Sequence, residues 1–286
     1  MDKRSSWTGR ARLQFAPGAE GTRPTFVYTQ APLKVQRSFH HPTAGICQTV
    51  LIHTAGGMVG GDRLLSEISL EPEAQVLLTT PAAQKVYRSG DEACPPTEQQ
   101  VKIDLQTNSI LDYFPLETIV FNQAQFRQHT HVNLAPGSYF CGWDLTRFGR
   151  TAQGEAFIAG QWRSTLEVWQ VQANGDAYPL WIDRQQLLDP QALRQTPFGL
   201  NAQSVMGSLL LLGHALSNQE KQLLVEIWQA AGYQAPHFSC SRTQQGMVAR
   251  YRGDSSQQAR QGFLHLWQTW KTAIVHQPAW MSRLWS

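Results

Sequence analysis

The chain has 286 residues, of which 42% are apolar and 10% aromatic, enough for a sizeable buried core and too many for disorder throughout. Lysine and arginine total 24 against 21 acidic residues, a net charge of +3. This balance excludes a general nucleic-acid binder, which usually carries a strong basic stripe.

The four cysteines, Cys47, Cys94, Cys141 and Cys240, are too far apart in sequence for a C-x-x-C metal clip. The first ten residues have no apolar signal-peptide core, and no apolar run is long enough to span a bilayer. We therefore expect reduced thiols, a cytoplasmic protein and no membrane partner.

Residues 1–183 predict a β-rich body. Strand candidates at 74–80, 139–145 and 164–171 are rich in β-branched and aromatic residues. Turn signals recur between such runs, and Asn174-Gly175 is the strongest hairpin signal among them.

Residues 184–286 predict a smaller mixed part, with 183–200 as its connection to the body. Ser217 and Glu220 form a capping box that opens a helix over about 217–231. A second helix over about 255–275 carries a 3.6-residue apolar stripe. Strands are expected near 202–212, 237–243 and 247–252.

Four glycines surround Met58 and Val59 and precede Asp62, namely Gly56, Gly57, Gly60 and Gly61. Such glycines allow tight turns and the close approach of another backbone, a ligand or an ion. No Gly-Lys-Ser/Thr follows, so the cluster is not a P-loop. The structural alternative is a turn between strands in which Asp62 caps its own backbone.

The segment 79–88 ends a strand and carries Lys85 and Arg88 as its only charges. Lys85 is either a partner for a buried carboxylate or a solvated cation at a strand end.

Asp144 lies within an apolar and aromatic strand, where a carboxylate must be paired or functional. Arg150 is its candidate partner, because a guanidinium fork suits a carboxylate. Glu155 follows in the same region, and Asp62, Asp144 and Glu155 are the acids available for acid–base chemistry. A structural ion pair is the alternative.

Alternation over 126–134 places His129 and His131 on one face of a strand, where they can share a metal ion. Arg127 and Asn133 share that face, so a solvated strand surface is the alternative. No H-E-x-x-H, cysteine cluster or G-x-S-x-G motif occurs in the sequence.

The motifs taken in order resemble the urease accessory protein family UreD, also called UreH. The matching segments are 32–37 (PLKVQR), 56–62 (GGMVGGD), 79–88 (TTPAAQKVYR), 113–121 (YFPLETIVF), Trp143-Asp144, Gly149-Arg150, Gly154-Glu155, Arg250-Tyr251 and Arg283-Leu284-Trp285. Ala31 and Ser282 depart from the family pattern, which usually has Gly and Pro there. These two departures affect the details of the C-terminal contact and not the family.

The resemblance implies a protein that is not an enzyme. It implies a mainly β fold, with a right-handed β-helix-like body and a smaller α+β or helical C-terminal part. It also implies a complex with UreF and the GTPase UreG on apo-urease, which helps to place nickel in the urease active site. No tightly bound cofactor is expected, only transient Ni(II).

We interpret the acids as a nickel passage, since spaced carboxylates exchange Ni(II) more readily than a His/Cys cage. Asp62, Asp144 and Glu155 would line the passage. Lys85, Arg88 and Arg150 would hold these acids, and the glycines would keep the passage open.

Two alternatives remain. The first is a scaffold that docks its partners without contacting nickel, with Trp280, Arg283 and Trp285 as candidate partner-binding residues. For Trp280 and Trp285 the alternative is packing against the β-rich body. The second is a β-helix carbohydrate enzyme that uses two of the acids, for which no substrate platform is identifiable.

Overall fold

A computed structural model describes residues 6–41, 45–89, 94–234 and 236–285, which form mainly strands, with two long helices in the last third of the chain. The first strands are β1 (Thr8–Gly18), β2 (Gly21–Gln30), β3 (Leu33–Val35), β4 (Phe39–His40), β5 (Cys47–His53), β6 (Arg63–Leu70), β7 (Gln75–Thr79), β8 (Gln84–Val86) and β9 (Thr97–Leu105). The later strands are β10 (Ile110–Phe114), β11 (Thr118–Val120), β12 (Gln125–Leu134), β13 (Tyr139–Phe148), β14 (Gln161–Val171), β15 (Ala177–Leu187), β16 (Val205–Leu212), β17 (Phe238–Thr243) and β18 (Gly246–Gly253).

The strands form two sheets. The first has seven strands in the order β15-β14-β12-β9-β6-β1-β2, and the second has eleven, with the central path β17-β18-β16-β13-β10-β7-β5-β3. Neighbours from β1 to β14 in the first sheet and from β5 to β13 in the second are parallel, whereas the flanking pairs are antiparallel. The chain passes from β6 to β7, from β9 to β10 and from β12 to β13, so it alternates between the sheets.

These sheets confirm the prediction of a mainly β protein with a smaller helical part. The right-handed β-helix stays a prediction. The division after residue 183 also stays a prediction, although β15 runs across it and pairs with β14. The strands β16, β17 and β18 extend the second sheet, because β16 pairs with β13.

The two sheets differ in how they are buried. Strands of the first sheet alternate buried and accessible residues, which is typical of a sheet with one solvated face. Strands β7, β10 and β16 are buried almost throughout, because helices cover the far side of the second sheet. One apolar cluster fills the space between the sheets, and another lies between the second sheet and the helices.

The covering helices are α2 (Asn218–Ala230) and α3 (Ser256–Thr269), while α1 (Pro190–Leu193) is a single turn. The predicted capping box is confirmed, since Ser217 Oγ accepts the Glu220 N–H and the Glu220 carboxylate accepts the Ser217 N–H. Helix α3 begins after Ser255 and continues as a π-helix over Trp270–Ile274. No helix in the described ranges is long and apolar enough to cross a bilayer.

Candidate functional site

The glycine-rich loop and the segment 84–88 lie side by side. Met58 donates its N–H to the Lys85 carbonyl at 2.8 Å, and the Tyr87 N–H returns to the Met58 carbonyl at 2.8 Å. The Tyr87 hydroxyl also donates to the Gly56 carbonyl at 2.9 Å. A Cβ on Gly57 would lie 2.4 Å from the Tyr87 ring, so this close approach requires glycine.

A cavity of about 310 Å³ opens beside this loop, between the two sheets. Four of the sequence-predicted residues line it: Gly56, Gly57, Lys85 and Asp144. A second, very small cavity touches Asp144 and Ser164, and shares Tyr113 and Thr130 with the first. Asp144 therefore lies where the large cavity narrows toward the first sheet.

Asp144 faces the first sheet because of its position on β13. Its neighbours Trp143 and Leu145 belong to the cluster under the helices, so the residue between them points the opposite way. The Asp144 carboxylate accepts hydrogen bonds from Gln128 Nε2 and Ser164 Oγ, which come from β12 and β14. Burial raises the pKa of Asp144, although these two hydrogen bonds oppose the shift.

A second cluster of polar side chains lies next to Asp144 and joins the two sheets. Ser208 is the register partner of Asp144, and Arg250 is the register partner of Ser208. Arg250 Nη1 lies 2.6 Å from Asp183 Oδ2, and Gln185 Nε2 donates to the same oxygen at 2.8 Å. A cavity of about 250 Å³ adjoins Gln185, Ser208 and Arg250.

Buried polar atoms in the large cavity lack partners. His53 Nε2 and Gln99 Oε1 are buried without a hydrogen bond to any described residue, and both residues line the cavity. Burial lowers the pKa of His53, so its imidazole is neutral near pH 7. Since unpaired buried polar groups are costly, the cavity suits water or another polar occupant.

Asp62 is buried but is not among the described residues that line the cavity. Its Oδ2 accepts the Val59 N–H at 2.8 Å, and its Oδ1 accepts the Trp7 N–H at 3.3 Å. These contacts close the turn at the end of the glycine-rich loop, as the structural alternative for Asp62 requires.

Arg150 pairs with Glu155 and not with Asp144, so the partner expected from sequence is wrong. The residues 144 and 150 are separated by the end of β13 and a left-handed Gly149, which turns the chain away. The Arg150 guanidinium holds the pKa of Glu155 below its ordinary value. Arg150 also lies 4.9 Å from the centre of the Phe121 ring.

The loop motifs nevertheless meet on one side of the molecule. The Phe121 ring, beneath Arg150, contacts the Tyr87 ring edge-on at 4.8 Å, and Tyr87 holds Gly56. Lys85 and Arg88 flank Tyr87, are exposed, and form no ion pair with another described residue. Gly60 and Gly61 lie on the far side of Met58, where a Cβ on Gly60 would overlap Cys94 Sγ at 2.6 Å.

The two C-terminal tryptophans differ in their surroundings. Trp285 packs against Phe114 and donates its Nε1–H to Thr79 Oγ1 at 3.2 Å. Trp280 contacts His41 edge-on and is partly accessible. The side chain of Arg283 lies outside the described part of the chain, and its backbone begins the last 3₁₀ turn.

Asp144 and the polar side chains around it form a polar layer between the sheets. Sequence analysis assigned no site role to its other members: His53, Gln99, Gln128, Ser164, Asp183, Ser208 and Arg250. A signal existed for some of them. Gln99, Gln128 and Ser164 stand at inward positions of alternating strands, where an apolar residue is the usual choice. The register that aligns them in one row is a tertiary feature.

The chain was compared with protein families and with proteins of known name. The family described as UreD urease accessory protein matches residues 8–286. A protein of Acaryochloris marina named urease accessory protein UreD is 46% identical over 98% of this chain and 96% of its own length. Proteins of the same name from Nostoc punctiforme and a Picosynechococcus species are 39% and 41% identical, over 98% and 100% of this chain and 96% of each relative. Their shared name describes an accessory protein and not an enzyme, and the chain belongs to the UreD family of urease accessory proteins.

Proposed function

We propose that this protein assists the maturation of urease by passing nickel between its two sheets to the apo-enzyme. It would act in a complex with UreF and the GTPase UreG. The observation that carries the proposal is the cavity that leads from the glycine-rich loop to the half-buried carboxylate of Asp144.

The donor set in this cavity suits transit of nickel. Asp144 supplies a carboxylate, Gln99 and Gln128 supply amide oxygens, and His53 supplies one neutral imidazole. Carboxylate, amide and water ligands exchange readily, whereas several imidazoles or thiolates together would retain Ni(II). A hydrated ion can therefore bind here and leave again.

Asp183 and Arg250 suit the continuation of the passage. Asp183 raises and Arg250 lowers the pKa of Asp144, so both act on its charge. Arg250 is paired with Asp183, which keeps the positive charge from repelling a cation at Asp144. We propose that the ion moves from the large cavity past Asp144 toward the cavity beside Ser208.

For Asp62 and Glu155 we propose a role in positioning loops. Their contacts suit positioning of the loops near Gly56 and Gly57, since each accepts hydrogen bonds from loop backbone. Lys85 and Arg88 would then remain solvated charges near the cavity, where they affect the approach of cations.

The β-helix-like body belongs to the same proposal. Alternation of the chain between the parallel central parts of two sheets supports such a winding, and it leaves facing strands whose inner residues can line a passage. All four cysteines, each within the described ranges, are free thiols, which supports a cytoplasmic complex.

Partner docking is proposed for the C-terminal segment 280–285. Trp285 holds this segment against the second sheet, while Met281 and Leu284 are exposed. Exposed apolar residues on an anchored segment are suited to a protein interface. Arg283 would contribute its charge at the rim, and Trp280 its partly accessible ring.

The test is urease activation with Asp144→Asn, which keeps the shape and the hydrogen-bond acceptor but removes the negative charge. We expect nickel content and urea hydrolysis to fall by about tenfold or more, the cost typical of losing a group that supports a metal site. Glu67→Gln is the matched control, because Glu67 is exposed on the outer face of the first sheet.

Co-purification with UreF, UreG and apo-urease must be measured for both variants. Normal complex formation with low nickel content supports the passage. Normal nickel content with Asp144→Asn would reject it and favour the scaffold alternative, in which the chain docks its partners without contacting nickel.

A further inference from the structure

Three potential metal ligands converge on the outer face of the first sheet, opposite to the passage. His131 on β12 is the register partner of Glu167 on β14, and His129 precedes it by two residues on the same face. Glu167 Oε2 lies 3.7 Å from His129 Nε2 and 3.7 Å from His131 Nδ1. The three ligand atoms all lie within 4.8 Å of one another. We propose that His129, His131 and Glu167 bind a first-row divalent metal ion.

The tautomer of His131 is set by its neighbours in a way that supports metal binding. Asn133 Nδ2 donates to Asp104 Oδ1 at 2.6 Å, which turns Asn133 Oδ1 toward His131. His131 Nε2 is 3.0 Å from that oxygen and must donate to it. In the neutral ring, Nδ1 then carries the lone pair, and this lone pair faces the Glu167 carboxylate. Such outer hydrogen bonds are typical of histidine metal ligands.

Two electron-rich atoms facing each other are stabilised by a cation placed between them. The contacts of 3.7 Å from Glu167 to each imidazole nitrogen are longer than a hydrogen bond. Metal–ligand bonds of about 2.0–2.2 Å place tetrahedral ligand atoms roughly 3.3 Å apart. Closing the present separations therefore needs only a small side-chain adjustment at an accessible surface, and water can complete the coordination.

Arg184 is the competitor for this site. Its Nη2 lies 3.0 Å from Glu167 Oε1, the carboxylate oxygen that faces away from the histidines. The guanidinium orients the carboxylate, but its positive charge opposes a second cation nearby. Two imidazoles and one carboxylate suit Ni(II) and Zn(II), and the competing Arg184 makes the site weak and exchangeable.

The experiment is calorimetric titration of the full chain with Ni(II) alone and with Zn(II) alone, in wild type and in the double variant His129→Ala/His131→Ala. We expect the double variant to lose one equivalent of bound metal. His214→Ala is the matched control, because the His214 side chain is as accessible as that of His131, 32% for both, and also contacts a carboxylate. The control must retain the wild-type stoichiometry.

Two further variants separate a metal site from a simple surface ion-pair network. Asn133→Ala should weaken metal binding by about tenfold or more, because it frees the supporting side of His131. Arg184→Ala should strengthen binding, because it removes the competing charge. Equal stoichiometry and affinity in wild type and the double histidine variant would overturn the proposal. Asp144→Asn should leave this equivalent bound, so the result is independent of the proposed passage.

Discussion

For Asp144, the sequence predicts that the carboxylate has partners, but it does not predict which residues they are. A carboxylate in the apolar strand 139–145 predicts a paired or functional group, and the structure gives it two hydrogen-bond donors. Its donors, Gln128 and Ser164, come from another sheet and are 16 and 20 residues away along the chain. Only the stacking of the two sheets selects them over Arg150, which is nearer in sequence.

The raised pKa of Asp144 predicts a pH-dependent effect of Asp144→Asn on stability. Because folding raises this pKa above its ordinary value near 3.8, the group stabilises the folded state below that pH. This contribution is lost as the pH rises through the folded-state pKa. Asparagine does not titrate and has no such loss. The free energy of unfolding of the variant should therefore rise relative to that of wild type as the pH increases from about 4.

Urea unfolding of both proteins across this range measures the difference directly, since most other titrating groups cancel. If the difference in free energy of unfolding does not change with pH, burial does not raise the pKa of the Asp144 carboxyl group.

The glycine-rich loop offers a matched pair of residues. In Gly57, φ is +153°, and a Cβ would lie 2.9 Å from the Lys85 carbonyl oxygen as well as against the Tyr87 ring. At Gly56 a Cβ would meet nothing within 4 Å. We expect Gly57→Ala to lower the free energy of unfolding by about 1–3 kcal/mol and Gly56→Ala to change it by no more than about 0.5 kcal/mol.

Thermal unfolding of the two variants tests this expectation. If the two variants are equally stable, the loop can move away from Tyr87 with little loss in the free energy of unfolding.

At the scale of elements, the hairpin of β14 and β15 explains why Asp183 was missed. The turn at Asn174-Gly175 is confirmed, and simple pairing outward from it sets Leu166 opposite Ile182. A register shift between Val168 and Trp169 instead sets Leu166 opposite Asp183. One extra residue exchanges the two faces of the strand, so Ile182 is exposed and Asp183 turns inward.

Most strands and both long helices could be predicted because their signals are local. Alternation, the capping box and the apolar stripe of α3 depend on residues within one element. The polar layer could not be predicted. It depends on the register among β9, β12, β14 and β15, which no local pattern encodes.

At the scale of the whole molecule, the two sheets and the helices form three layers, and one buried ion pair joins the last two. Lys271, in the π-helix, lies 3.2 Å from Asp112 on β10, and each side chain is only 3% accessible. Trp267 Nε1 donates to the other carboxylate oxygen at 2.8 Å. Lys271 follows Trp267 by four residues on the apolar stripe, and this position is the sequence signal that went unused.

Removing one partner of this pair should cost far more than losing the pair as a whole. Asp112→Ala leaves Lys271 charged and buried and should lower the free energy of unfolding by about 3–5 kcal/mol. Asp112→Asn with Lys271→Met removes both charges and keeps an acceptor for Trp267, so its stability should lie much closer to wild type. Arg12→Ala, which breaks an exposed pair with Glu67, should cost no more than about 1 kcal/mol. Urea unfolding of the three variants measures these differences. If the single and double variants lose the same stability, leaving Lys271 unpaired carries no penalty of its own, and the expected asymmetry between losing one partner and losing both is wrong.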